Sequence, residues 1–143
     1  MYLLLLLAVG FLGANAQAQM EVKNGAQLEF EKETHDYGTV AYGSDRFCTF
    51  EFKNTGNAPL IISKAIGSCG CTVPTWPKEP IAPGATGKIV VKYDTERPGV
   101  FNKTVTITSN ATNDPGKKIF IKGKILPKPT SGTPVNKTGP ATN

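Results

Sequence analysis

Residues 46–53 read Arg46-Phe47-Cys48-Thr49-Phe50-Glu51-Phe52-Lys53. In an extended chain successive side chains point to opposite faces. Cys48, Phe50 and Phe52 therefore share one face, and Phe47, Thr49, Glu51 and Lys53 share the other. The first set is the expected core face. No long window in the chain carries apolar residues at i, i+3, i+4 and i+7, so nothing argues for an amphipathic helix.

The same alternation recurs on both sides. Upstream, residues 28–31 form a short opening strand, and Thr34-His35-Asp36-Tyr37-Gly38-Thr39-Val40 reads as an edge piece. Downstream comes a turn, Asn54-Thr55-Gly56-Asn57, where Gly56 is expected to supply a positive φ. Residues 60–66 follow, with Leu60, Ile62 and Ile66 expected on one side. In residues 87–93, Ile89, Val91 and Tyr93 face in, and Lys88 and Lys92 face out. In residues 101–109, Val105 and Ile107 face in, and Thr104, Thr106 and Thr108 face out. In residues 117–125, Ile119, Ile121 and Ile125 face in, and Lys118, Lys122 and Lys124 face out. Turn signals separate these runs: Ala82-Pro83-Gly84, Arg97-Pro98-Gly99 and Asn113-Asp114-Pro115-Gly116. About seven short strands at near-regular spacing predict an all-β, Ig-like antiparallel β-sandwich. The Cys…Trp…Cys spacing of an antibody domain is absent.

The chain has 143 residues, enough for one domain with a proper core. Its net charge is +5. A basic surface can meet nucleic acid, anionic lipid or an acidic polymer. No arginine cluster or interleaved aromatic row occurs, so nucleic acid is not an expected partner. Lysines set on strands also keep a β protein soluble.

Residues 2–12 are an apolar, leucine-rich run, too short for a bilayer, which needs about 20 residues. Ala14-Asn15-Ala16 and Ala16-Gln17-Ala18 offer cleavage sites after Ala16 or Ala18, so residues 1–18 are expected to be a signal peptide, although no Lys or Arg precedes the run. The expected mature protein is periplasmic or extracellular and has no transmembrane segment. Residues 26–126 are the expected sandwich domain. Residues 127–143, rich in Pro, Thr, Gly, Asn and Lys, are an expected disordered tail.

The segment that does not read as a strand is Ser68-Cys69-Gly70-Cys71-Thr72-Val73-Pro74, followed by the only tryptophan, Trp76. An extended Cys69-Gly70-Cys71 would hold its Cα atoms about 7 Å apart. That is at the limit for a disulfide, so pairing these two requires a bend at Gly70. Cys48, on the inward face of its strand, is the other candidate partner. Three cysteines cannot all pair within one chain. The pair could staple the loop or exchange thiols with a partner. It could also hold a soft metal such as Cu(I), with Cys48 as third ligand. A metal would favour His, and the only one, His35, is distant in sequence.

Trp76 lies between Pro74 and Pro77, which restrict its backbone to extended forms. It is either an exposed anchor or a lid over the open end of the core. His35 and Asp36 are adjacent on a strand and face opposite ways, so they do not form an acid–base pair. Asp36 instead suits the turn before Gly38. No serine–histidine–acid set, phosphate loop or paired-carboxylate site can be assembled. Asn102, Asn110 and Asn136 begin glycosylation sequons, which count only in a eukaryotic secretory route.

Several of these segments together resemble a known family. They are residues 34–40, Phe52-Lys53-Asn54-Thr55-Gly56-Asn57, Pro59-Leu60-Ile61-Ile62, Ser68-Cys69-Gly70-Cys71-Thr72, Pro80-Ile81-Ala82-Pro83-Gly84 and residues 93–110. The family is a bacterial, secreted domain of unknown function with a Ser-Cys-Gly-Cys-Thr motif, abundant in Bacteroidetes. The resemblance covers residues 28–125. It implies an Ig-like sandwich similar to the ASPM/SPD-2/Hydin and major-sperm-protein types, which act as binding or assembly modules. It brings no activity and leaves Cys48 outside the motif. The expectation is a non-enzymatic module without cofactors that binds a protein or cell-envelope polymer. The candidate interaction loop is Ser68, Cys69, Gly70, Cys71, Thr72 and Trp76. The alternative is a thiol-redox or copper-handling protein using Cys69 and Cys71.

Overall fold

The computed structural model describes residues 24–131. The expected signal segment, 1–18, lies outside them, as does the expected tail from residue 132 onward. Eight strands are present: β1 (Leu28–Phe30), β2 (Thr34–Val40), β3 (Phe47–Asn54), β4 (Ile62–Gly67), β5 (Thr72–Thr75), β6 (Thr86–Tyr93), β7 (Gly99–Ser109) and β8 (Gly116–Ile125). The described residues contain no helix. The first sheet runs β1-β3-β6-β5 and the second β2-β8-β7-β4. All pairs are antiparallel except β2, which runs parallel to β8.

The alternation of residues 46–53 holds. Cys48, Phe50 and Phe52 are buried between the sheets, joined by Ile89, Val91 and Tyr93 from β6, Val105 and Ile107 from β7, and Ile119, Ile121 and Ile125 from β8. Burying each of these large side chains contributes about 1.5–3 kcal/mol.

Three local expectations are corrected. The stretch after the cysteines is a strand: Thr72–Thr75 pairs with β6, making eight strands rather than about seven. Pro74 disguises it, but β5 is a sheet edge, where a missing N–H costs no ladder bond. On β4 a register shift between Ile62 and Lys64 inverts the alternation. Ala65 turns inward at 5% exposure, and Ile66 turns outward at 49%. Gly56, finally, does not adopt a positive φ. It is there because the backbone of Gly25 passes so close that a Cβ would lie 2.0 Å from the Gly25 oxygen.

Asn54 does more than start a turn. Its side chain is fully buried at the end of β3. Its Oδ1 accepts from the N–H groups of Gln27 (3.2 Å) and Gly56 (3.1 Å), and its Nδ2 donates to the carbonyls of Ala58 (2.8 Å) and Ile81 (2.9 Å). One amide thus satisfies four backbone groups where three chain segments meet.

Candidate functional site

The chain leaves the second sheet at Gly67 and enters the first at Thr72. Residues 68–71 bridge the gap at the rim. The two edges approach so closely that a Cβ on Gly67 would lie 2.1 Å from the Thr72 carbonyl oxygen. Only glycine fits there. The loop is pinned at both ends. The Ser68 N–H donates to the Thr104 carbonyl (2.8 Å), and the Thr104 N–H donates back to Ser68 Oγ (3.1 Å). On the other side, the Asp94 N–H donates to the Cys71 carbonyl (2.9 Å).

Between these pins Cys69 and Cys71 form a disulfide with Cα atoms 5.2 Å apart, well inside the extended distance. The Thr72 N–H donates to the Cys69 carbonyl (3.2 Å), closing the bend. Gly70 makes this bend without a positive φ, and a Cβ there would meet nothing within 4 Å. The tip of the loop is bare. Cys71 is buried and Cys69 half-buried. Thr72 Oγ1 stands 3.7 Å from Cys69 Sγ and 3.6 Å from Cys71 Sγ. A ring of three residues restrains little unfolded chain, so as a staple it contributes only about 1.6 kcal/mol.

The structure does not bring the three ligands of the copper alternative, Cys69, Cys71 and Cys48, together as free thiols. Both loop sulfurs are consumed in the bond, and Cys48 is free on the inner face of β3. In the first sheet β6 separates β3 from the loop's strand, β5. Among the described residues no group of three His, Cys, Asp or Glu could hold a metal. Burial pushes the Cys48 thiol pKa up, and the nearby Tyr37 hydroxyl partly offsets this. Burial, first of all, also pushes Tyr37 well above the ordinary phenol value.

Trp76 follows β5 directly. It packs partly buried against the core, and Lys78 Nζ lies 3.1 Å from the centroid of its ring. The chain is then tied back by paired hydrogen bonds between Leu60 and Ile81, both 2.8 Å. His35 and Asp36 stay apart in role. The His35 ring meets the Tyr37 ring edge-on at 4.7 Å, while Asp36 Oδ1 accepts the Gly38 N–H at 2.8 Å.

One feature of the rim is invisible in the sequence. Lys92 on β6 stands opposite Phe47 on β3 and opposite Val73 on β5. Phe47 is 57% exposed and Val73 53%. Two large apolar side chains thus flank one lysine on the outer face, beside the disulfide loop. A depression of about 220 Å3 lies on the Val73 side of this row, lined by Arg46, Gly70, Cys71, Val73, Lys92 and Asp94. Arg46 is held by an ion pair with Glu96. Phe47 could be placed outward by alternation. Its pairing with Val73 needed the strand register, and Val73 lay in a segment not read as a strand.

A family model described as "Protein of unknown function (DUF1573)" matches residues 28–125. No curated protein matches the chain in sequence. Among solved structures, a protein of unknown function from Porphyromonas gingivalis W83 is similar with a TM-score of 0.62 and 18% identity, over 77% of this chain and 51% of that one. The chain thus spans about half that protein's length. The ASH/PapD-like domain 7 of human CEP192 is similar at TM-score 0.55 and 10% identity, covering 73% of this chain and 87% of that one. The Pseudomonas aeruginosa CupB2 chaperone is similar at TM-score 0.50 and 12% identity, covering 68% and 55%. At these identities the likeness is one of fold, and the fold is an Ig-like β-sandwich.

Proposed function

The chain belongs to the DUF1573 family of proteins of unknown function, and from that premise we propose a non-catalytic, Ig-like binding or assembly module that engages a protein partner at the disulfide rim. The observation that carries this reading is the row Phe47, Lys92, Val73. Everywhere else on β3 and β6 the large apolar side chains turn inward or are half covered. Two of them facing water, one on each side of Lys92 and close to a pinned loop, support a contact surface. The pins at Ser68 and Cys71 keep the loop ordered before binding, which lowers the entropy cost of association.

The module works outside the cytoplasm in this reading. Two features support that: the apolar leader in residues 1–18, and a disulfide, which persists in oxidising compartments. Residues 26–126 are the binding unit. The direct test is Phe47→Asp/Val73→Asp. Both positions are exposed, so stability should change by about 0.5 kcal/mol or less each. A partner retained by the wild-type protein from its native envelope should be lost by this variant. Retention by the folded variant would overturn the reading.

A second reading is favoured by the bare tip at Gly70: thiol exchange at the loop. An incoming thiolate attacks Cys69 Sγ, the more exposed sulfur, and displaces the Cys71 thiolate. The partner's second thiol then releases Cys69, leaving this chain reduced and the partner oxidised. Equilibration with a dithiol buffer, read by mass, tests it. A ring that stays oxidised, while a control surface disulfide is reduced, eliminates it.

A further inference from the structure

We infer that the outer face of the second sheet binds an acidic polysaccharide chain. Four lysines project from this face: Lys64 on β4 and Lys118, Lys122 and Lys124 on β8. One carboxylate, Asp36, faces them from β2, opposite Lys122, and its Oδ1 accepts the Gly38 N–H. Among the described residues none of the four lysines is in an ion pair. The first sheet is built differently. There Glu51 pairs with Lys88 at 3.4 Å, and Glu29 stands opposite Lys53. Positive charge is therefore gathered on one face rather than spread for solubility. Guarding a sheet edge is no explanation either, because β8 is an inner strand, between β2 and β7.

The side chains between the lysines favour sugar. Phe120 lies between Lys118 and Lys122 on the same strand, about 7 Å from each along the chain. Its half-open ring offers a flat apolar surface to the C–H face of a pyranose, and the flanking ammonium groups meet carboxylates. Thr104 and Thr106, beside Phe120 and Lys118 on β7, offer hydroxyls. Beyond Lys122 the surface dips into an open trough of about 400 Å3, lined by Asp36, Thr39, Val100, Asn102, Lys122 and Lys124 among others. A flat, open face with a trough at one end suits an extended polymer. Lysines without arginine supply hydrated point charges rather than the forked donors that grip phosphate.

Affinity electrophoresis of the full chain in polygalacturonate tests this, with dextran as the neutral control. Retardation by polygalacturonate alone is expected, weakening as salt rises. Lys118→Glu/Lys122→Glu should reduce the affinity about tenfold or more. Lys53→Glu/Lys88→Glu, the same charge change on the first sheet, should reduce it far less. Phe120→Ala should weaken binding with the charge unchanged. Equal losses from both charge pairs would mean general attraction to a basic protein and would overturn the proposal. So would an absence of retardation, or equally tight binding to duplex DNA.

Discussion

The rings of Tyr93 and Phe101 stack 4.0 Å apart at 18°. Tyr93 comes from β6 in the first sheet and Phe101 from β7 in the second, and Tyr37 meets Phe101 edge-on at 5.7 Å. Tyr93 is also the register partner of Thr72, where the disulfide loop ends. The sheets are thus locked together directly beneath the rim. Phe101→Ala should cost about 3–5 kcal/mol in urea denaturation. A cost below 1 kcal/mol would mean that the stack does not hold this end.

The two faces of β3 give a paired test. Phe50→Ala should cost about 3–5 kcal/mol, while Phe47→Ala, on the same strand, should stay within about 0.5 kcal/mol. Comparable losses at the two positions would contradict the assignment of faces.

Asn54→Ala leaves the Gln27 and Gly56 N–H groups and the Ala58 carbonyl without this partner, while the Ile81 carbonyl keeps the Leu60 N–H. Each unsatisfied group costs about 1–3 kcal/mol, so a loss of about 3 kcal/mol or more is expected, with the urea midpoint as readout. A loss under 1 kcal/mol would show that water replaces the amide freely.

The rim glycines should behave oppositely. Gly67→Ala drives a methyl into the Thr72 backbone and should destabilise by several kcal/mol, since backbone there cannot yield. Gly70→Ala meets open space and should change stability by less than about 1 kcal/mol. Replacing both Cys69 and Cys71 by Ala should cost about 1.6 kcal/mol, the value for so short a ring.

Alkaline pH should weaken the fold through Cys48. Its thiol pKa is raised in the native state, so its contribution is complete below the unfolded value, about 8.5. Above that pH the unfolded chain releases the proton and the native one keeps it, so stability falls as pH rises towards the native value. Tyr37 adds the same sign from about pH 10 upward. Urea midpoints between pH 7 and 10 should fall, and Cys48→Ala should flatten the part below pH 10. An identical slope in that variant would contradict the burial argument.

Period-two alternation was enough to give the sandwich, because β3, β6, β7 and β8 each bury one face, and a one-residue error would put every apolar group in water. It failed where the backbone breaks period. The register shift after Ile62 exchanged Ala65 for Ile66, and Pro74 hid β5. Gly56 and Asn54 look like turn residues, yet one admits a crossing backbone and the other fills a buried polar junction. The cysteine loop stood out from its composition alone. The surfaces around it did not, since Phe47 with Val73, and the lysines of β8 with Lys64, come to share one face only through strand pairing.

Photo-crosslinking from single positions addresses the rim most directly. A photoreactive residue at Phe47 or Val73 should give one shared crosslinked species in the native envelope. At Lys53, the far end of the same outer face, it should give none. The opposite outcome, crosslinks from Lys53 and none from the rim, or the same diffuse set from all three, would contradict a partner seated beside the disulfide loop.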